Sequence, residues 1–382
     1  MYKAIIDFIR ATFDEKDAYI PLHQPLFDNI DRKYVLEAID STFVSSIGKF
    51  VDRFEDMIKG YTGAKCAVAI VNGTSALHLS LLLAGVKRND LVITQPLSFI
   101  ATCNAISYIG AEPIFIDIDR KTLGLSADKL LDFLKEKTKI VDGQCFHKKS
   151  GKRISACVPM HSFGHPAAID EIVKYCNQFH IVVIEDAAES LGSFYKGKHT
   201  GRFGLIGTFS FNGNKTITCG GGGIIITDDV GIGKMAKHLS TQSKIPHKWN
   251  FSHDFIGFNY RLPNLNAALA CSQMEKLENY IENKRELALK YRSFFETVNI
   301  PFFEEPANAR SNFWLNVIFM ENRQQRNEFL EFSYKSGVMT RPAWTLMNKL
   351  DMFKNCFCEN ISNALLVEDC LVNIPSSVCQ KS

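Results

Sequence analysis

No long block of one charge interrupts the chain: 44 basic residues stand against 41 acidic ones, a formal net charge of +3. A nucleic-acid surface, which needs clustered Lys and Arg, is therefore not indicated. The densest basic stretch, His147 to Arg153 (HKKSGKR), has a Ser-Gly centre and reads as an exposed hairpin or flap. There is no run of about 20 apolar residues to span a bilayer; stretches such as LSLLLAG fall far short. Asp7 and Arg10 break the apolar start, so no signal-peptide core is expected. The eleven cysteines are an odd number and include no CxxC pair, which argues against a zinc site and a disulfide framework and for reduced thiols in a cytoplasmic protein. Internal repeats and low-complexity segments are also missing.

What is present is an ordinary globular composition, 46% hydrophobic and 22% charged over 382 residues, long enough for a large domain and a smaller one. From Ala64 onward, Val/Ile-rich runs alternate with helical patterns: CAVAIV with TSALHLSLLLAG, DLVITQP with SFIATCNAISYIG, EPIFIDID with SADKLLDFLKEK. ISACVPM with PAAIDEIVKYCNQF, then IVVIEDAAES, GTFSFN and GGGIIIT continue the scheme. Near-continuous apolar strands between amphipathic helices define an α/β chain with a mostly parallel sheet covered on both faces. A helical tract is expected over Asn264–Val298, followed by strands in FWLNVIFM and GVMTRPAW. The division is placed at residues 1–270, an N-terminal segment and large domain, and 271–382, a smaller α+β domain.

Ligands of such sheets bind beyond the carboxyl ends of the strands. The junction VNGTSALHL offers Gly73 for a tight turn, with Thr74 and Ser75 as caps and amide donors at a helix N-terminus, an anion site or simply a cap. SFIAT places Phe99 at the next junction. VVIEDAAES delivers Asp186 from a buried run to a strand end, with Glu189 one helical turn on; a carboxylate there needs a partner, an ion pair, an N-cap or a buried cation. Lys215 lies between FSFN and four glycines. A phosphate cradle, a flat aromatic, a buried aspartate and a lysine are what pyridoxal 5'-phosphate requires. The lysine amine condenses with its aldehyde, the aspartate holds its ring nitrogen protonated, and glycines let the backbone close in.

The motifs NGTSAL, SFIAT, IEDAAES, SFNGNK…GGGG and GFNYRLPN, in that order and across nearly the whole chain, resemble the DegT/DnrJ/EryC1/StrS family of sugar-nucleotide aminotransferases. The resemblance implies an aspartate-aminotransferase-like large domain of fold type I. It makes Lys215 the catalytic lysine, Asp186 the partner of the ring nitrogen and Phe99 the ring's neighbour. Ser210 and the Thr74 and Ser75 amides would hold the phosphate, and Asn259 would reach the neighbouring subunit's cofactor in a homodimer with shared sites. Arg261 is then a candidate for the substrate diphosphate, with Trp344 near the substrate. Many relatives have Gln or His at Glu189 and His at Asn348, which leaves the ring-oxygen contact and the surroundings of Arg341 and Trp344 open.

DSTFVSSIGKFVDRFE and GKRISACVPMHSFGHP resemble the subgroup that makes 4-amino-4,6-dideoxy-N-acetylglucosamine nucleotides for legionaminic acid and related surface glycans. This implies an amino-acid donor, glutamate, and a nucleotide-linked 4-keto sugar; a 3-keto or GDP-linked sugar is the alternative. Two rivals stand outside the family. Gly231-Ile-Gly233-Lys-Met-Ala236 has the look of a dinucleotide fingerprint, but no acidic residue closes a second strand. A non-catalytic sensor on this fold would be favoured by loss of the lysine, and Lys215 is present.

Overall fold

The computed structural model describes residues 1–379. Eleven strands follow one another through the first two thirds of the chain: β1 (Cys66–Ile70), β2 (Leu91–Thr94), β3 (Glu112–Phe115), β4 (Thr138–Val141), β5 (Gln144–His147), β6 (Arg153–Val158), β7 (Val182–Asp186), β8 (Phe194–Tyr195), β9 (Lys198–His199), β10 (Ile206–Ser210) and β11 (Gly223–Thr227). The main sheet has the order β1-β11-β10-β7-β6-β2-β3, and the β4–β5 hairpin joins it by pairing β5 with β6. Along that path only β11 runs against its neighbours. The sheet is thus mostly parallel, as the apolar runs suggested. The strands of that seven-strand path are largely buried on both faces, including all five residues of β11, by helices such as Gly73–Leu83 and Ile100–Tyr108, whereas β4 is mostly exposed.

HKKSGKR forms the turn between β5 and β6, with Lys148 and Lys149 exposed. Its ends are not free flap: Arg153 pairs with Asp90, Lys152 with Glu112 at 2.6 Å, and His147 is buried. The fingerprint-like glycines lie inside the helix Val230–Ser240, capped by Asp229. A Cβ on Gly233 would come 2.6 Å from that of Cys66 on β1, so this glycine serves helix–strand packing.

The tract expected over Asn264–Val298 is two helices, Asn264–Met274 and Leu277–Thr297, separated at Glu275–Lys276. After β12 (Ala309–Arg310), which pairs with β8, come β13 (Asn316–Phe319), β14 (Arg341–Pro342) and β15 (Leu371–Ile374), an antiparallel sheet of order β13-β15-β14. Chain order does not govern the grouping around this sheet. The first helix, Tyr2–Thr12, buries Ile5, Ile6 and Ile9 in one cluster with Tyr291, Phe295, Phe329 and Val372.

Candidate active site

Parallel registry sets the floor of the site. Thr208 of β10 lies opposite Asp186 of β7, so Asp186 and Ser210 reach the same carboxyl edge. Asp186 is buried because β7 is a Val-Val-Ile run that carries it in. Thr102 Oγ1 donates to its Oδ2 at 2.6 Å and the Ala188 amide to its Oδ1 at 3.2 Å. Among the described residues no cation lies within ion-pair distance of it. Burial raises its carboxyl above the usual range, and those two donors, with the more distant Lys215 charge, oppose the rise only in part. A deeply buried carboxylate so placed has room for one more donor, and a protonated ring nitrogen is chemically suited to it.

At the other end, Asn72 caps the helix Gly73–Leu83 by accepting from the Ser75 amide at 2.7 Å. This corrects the sequence reading twice: the cap is Asn72 rather than Thr74 or Ser75, and the Ser75 amide is committed to that cap. Gly73 and Thr74, whose amides fall in a first turn where a helix offers no partner, line a cavity of about 270 Å³ with Ser210. A Cβ on Gly73 would approach that of Ser210 to 2.9 Å. Gly223 lies equally close to Asn72, where a Cβ would sit 2.5 Å from the backbone carbonyl. These side-chain-free contacts shape a cradle suited to a phosphate.

Lys215 sits in the loop between β10 and β11, its own amide closing a turn on Asn212. Its Nζ reaches Glu189 Oε1 at 3.3 Å and lies 4.2 Å from the centre of the Trp314 ring. Phe99, 48% exposed, stands at the start of the helix Ile100–Tyr108 and meets Trp344 edge-on, while Trp344 stacks on Phe163. One cavity therefore brings together Gly73, Thr74, Phe99, Asp186, Glu189, Ser210, Lys215 and Trp344. Ser75 does not line it, nor do Asn259 and Arg261. Asn259 is exposed and accepts from Arg261 Nε at 3.3 Å and Nη2 at 3.2 Å.

Several residues of the site escaped the sequence reading, among them Thr102, Asn72, Trp314 and Asn214. Thr102 had a signal, since it lies three residues after Phe99 and so on the same helix face. Asn72 had one too, as the Asx residue preceding a helix. Asn214 stood unremarked within the SFNGNK motif, and Trp314 had no signal. Asn312, in the loop before β13, donates to the Glu189 and Leu191 carbonyls at 2.9 Å each and accepts from the Trp314 amide. That contact swings the indole of a C-terminal segment over Lys215.

The family model described as the DegT/DnrJ/EryC1/StrS aminotransferase family matches residues 26–378, and the chain belongs to that family. It is an enzyme, a pyridoxal 5'-phosphate-dependent sugar-nucleotide aminotransferase with a fold type I large domain. It is 35% identical over 335 residues to a GDP-perosamine synthase of Escherichia coli O157:H7, covering 88% of this chain and 87% of that one. The Caulobacter vibrioides GDP-perosamine synthase is 37% identical over 349 residues, 90% of each chain. Among solved structures, the aminotransferase TlmJ from Streptoalloteichus hindustanus superposes with a TM-score of 0.86 at 23% identity, over 96% of this chain and 95% of that one. Helicobacter pylori PseC gives 0.84 at 23% identity, over 94% and 93%. These two bear on the fold.

Glu189 provides a pH test. Burial pushes its carboxyl up to about 7, against the pull of the Lys215 ammonium and the Phe163 amide, which donates at 2.8 Å. A carboxyl raised from its unfolded value of about 4.3 binds more protons folded than unfolded between those two values. Its contribution to stability therefore falls as pH rises through that window. In the cofactor-free protein, Tm of Glu189→Gln minus Tm of wild type is expected to grow from pH 5 to pH 8. A flat difference in thermal unfolding would mean that Glu189 titrates at its ordinary value.

Proposed function

We propose that this chain transfers an amino group from L-glutamate to C4 of a nucleotide-linked 4-keto-6-deoxy sugar, UDP-4-keto-6-deoxy-N-acetylglucosamine, for surface-glycan or legionaminic-type nonulosonic acid synthesis. The observation that carries the chemistry is the placement of Lys215 and the buried Asp186, which has hydrogen-bond donors but no ion-pair partner among the described residues, in one cavity that Phe99 also lines. Bound pyridoxal phosphate supplies an aldehyde that takes up the donor's amino group and a ring that withdraws electrons while its nitrogen is protonated. Asp186 holds that nitrogen's proton. Gly73, Thr74 and Ser210 bind the phosphate, and Glu189 sits beside the lysine. Lys215 Nζ takes the proton from the α-carbon of glutamate, which leaves as 2-oxoglutarate, and returns a proton to the sugar carbon that becomes aminated. The sugar assignment is supported by the subgroup motifs, and the similarity to GDP-perosamine synthases keeps a GDP-linked sugar as the rival. Incubation with UDP- and GDP-linked 4-keto-6-deoxy sugars plus glutamate, with NMR of the product, decides between them. Amination at C3, or of the GDP-linked sugar alone, would overturn the assignment.

The cytoplasmic homodimer belongs to the same proposal. No helix among the described residues is long and apolar enough to cross a membrane. Support for a partner comes from Asn259 and Arg261 lying outside their own chain's cavity, and from Trp249, Phe251 and Ile256 just before them, which are 69%, 81% and 90% exposed. Apolar side chains so exposed mark an interaction surface. If Arg261 serves the partner's site, mixing exchanging Lys215→Ala and Arg261→Ala protomers restores activity. Half the dimers are mixed and each has one intact site, so about one quarter of wild-type turnover is expected. No recovery in an isolated, differently tagged mixed dimer would return Arg261 to its own subunit.

A further inference from the structure

A second cavity, of about 460 Å³, adjoins the first and shares Asn214, Trp314 and Trp344 with it. Its far wall comes from a segment that neither the fold nor the chemistry has so far used. The stretch around His23 is strapped to the C-terminal sheet: the Ser376 amide donates to the Leu22 carbonyl at 2.7 Å and the Gln24 amide to Ser377 Oγ at 2.8 Å. Two further bonds join Ile20 to the β14 approach, its amide to the Gly337 carbonyl at 2.9 Å and the Met339 amide to its own carbonyl at 2.8 Å. His23 is thus held in place on both sides.

Although the residue as a whole is only half-buried, both ring nitrogens of His23 are shielded from solvent and have no hydrogen-bond partner. Burial, with Lys284 and Lys215 adding to it, holds the imidazole well below its ordinary pKa, so the ring is neutral. One nitrogen is then an idle donor and the other an idle acceptor. Asn373, on β15, lines the same cavity; its Oδ1 is likewise shielded and unpaired, while its amide nitrogen is committed to the Pro342 carbonyl. Leu22 and Met339 give the same cavity an apolar wall. Shielded polar groups left idle are costly, and they are satisfied by a ligand that brings the complementary groups.

We propose that this cavity is the subsite for the acetamido substituent of the sugar substrate, read by His23 and Asn373. The amide carbonyl accepts from the His23 N–H, the amide N–H donates to Asn373 Oδ1, and the methyl group lies on Leu22 and Met339. A hydroxyl at the same carbon is too short to satisfy both side chains and leaves the apolar wall uncovered. The competing occupant is a carboxylate of the amino-acid donor, drawn by Arg341, which lines the cavity. A carboxylate there would set its oxygens against the unpaired Asn373 Oδ1 with no proton between them. The inference rests on the proposed sugar-nucleotide reaction and names the feature by which its substrate is chosen.

The test compares kcat/KM for two nucleotide-linked 4-keto-6-deoxy hexoses that differ only in carrying acetamido or hydroxyl at C2. Wild type is expected to favour the acetamido sugar tenfold or more, since a site built to bond a polar group discriminates against the analogue lacking it. His23→Phe and Asn373→Leu, made on different segments of the lining, are each expected to bring that ratio within threefold. His23→Gln, which keeps a neutral donor and acceptor, retains the preference. An unchanged ratio in both His23→Phe and Asn373→Leu, with Tm near that of wild type, overturns the subsite. So does a rise confined to the KM for glutamate, which would assign the cavity to the donor. Wild type that aminates neither sugar while converting glutamate to 2-oxoglutarate overturns the proposed reaction itself, a failure visible before any variant is made.

Discussion

Lys215→Ala is expected to lower turnover roughly a thousandfold or more, about 4 kcal/mol of barrier, while the protein still binds its cofactor. The two halves of that result have separate causes. Lys215 is the lysine that lines the cavity, and its Nζ lies against Glu189 and the Trp314 ring, where it is the group able to carry a proton between donor and acceptor carbons. Gly73, Thr74 and Asp186 belong to other strand ends and Ser210 closes β10 ahead of the lysine loop; among the described residues none of them makes a hydrogen bond or ion pair with Lys215. Cofactor retention is read by equilibrium dialysis and turnover by glutamate-dependent release of 2-oxoglutarate. Turnover within tenfold of wild type would remove Lys215 from the chemistry.

Asp186→Asn is expected to cost tenfold or more in kcat, at least about 1.4 kcal/mol, without loss of stability in the cofactor-free protein. The carboxylate sits in the interior with only Thr102 and the Ala188 amide as donors, and its raised pKa means that the ionised form is disfavoured by burial there. A neutral amide relieves that cost, so Tm is expected to hold or rise at pH 7. The same amide cannot retain a proton on a ring nitrogen by charge, so activity falls. Loss of kcat with an undiminished Tm separates the chemical role from a structural one. Activity within a factor of two of wild type would make Asp186 a packing residue.

The elements around these two residues were legible for a simple reason. A parallel strand buried on both faces must be almost wholly apolar, so VVIEDAAES exposes the point at which β7 stops being core and delivers its carboxylate. The four glycines after Lys215 are legible in the same way, because Gly223 has the Asn72 backbone where a Cβ would be. Boundaries fared less well. A single helix was expected where Glu275 and Lys276 break it in two, since polar residues on an exposed face look alike in a helix and in a turn between helices.

By itself the sequence determined the alternation of strands and helices, the junctions at which Gly73, Asp186 and Lys215 stand, and the family, because each rests on local periodicity or on contiguous motifs. The tertiary structure alone decided that Trp314 covers Lys215 and that His23 lines a cavity with Asn373. It also set Asn259 and Arg261 outside their own pocket and placed the first helix beside the last strand. The contacts among these residues join segments far apart in the chain, and their proximity is set by how apolar faces of distant elements bury one another, which leaves no period or spacing to read in any one segment.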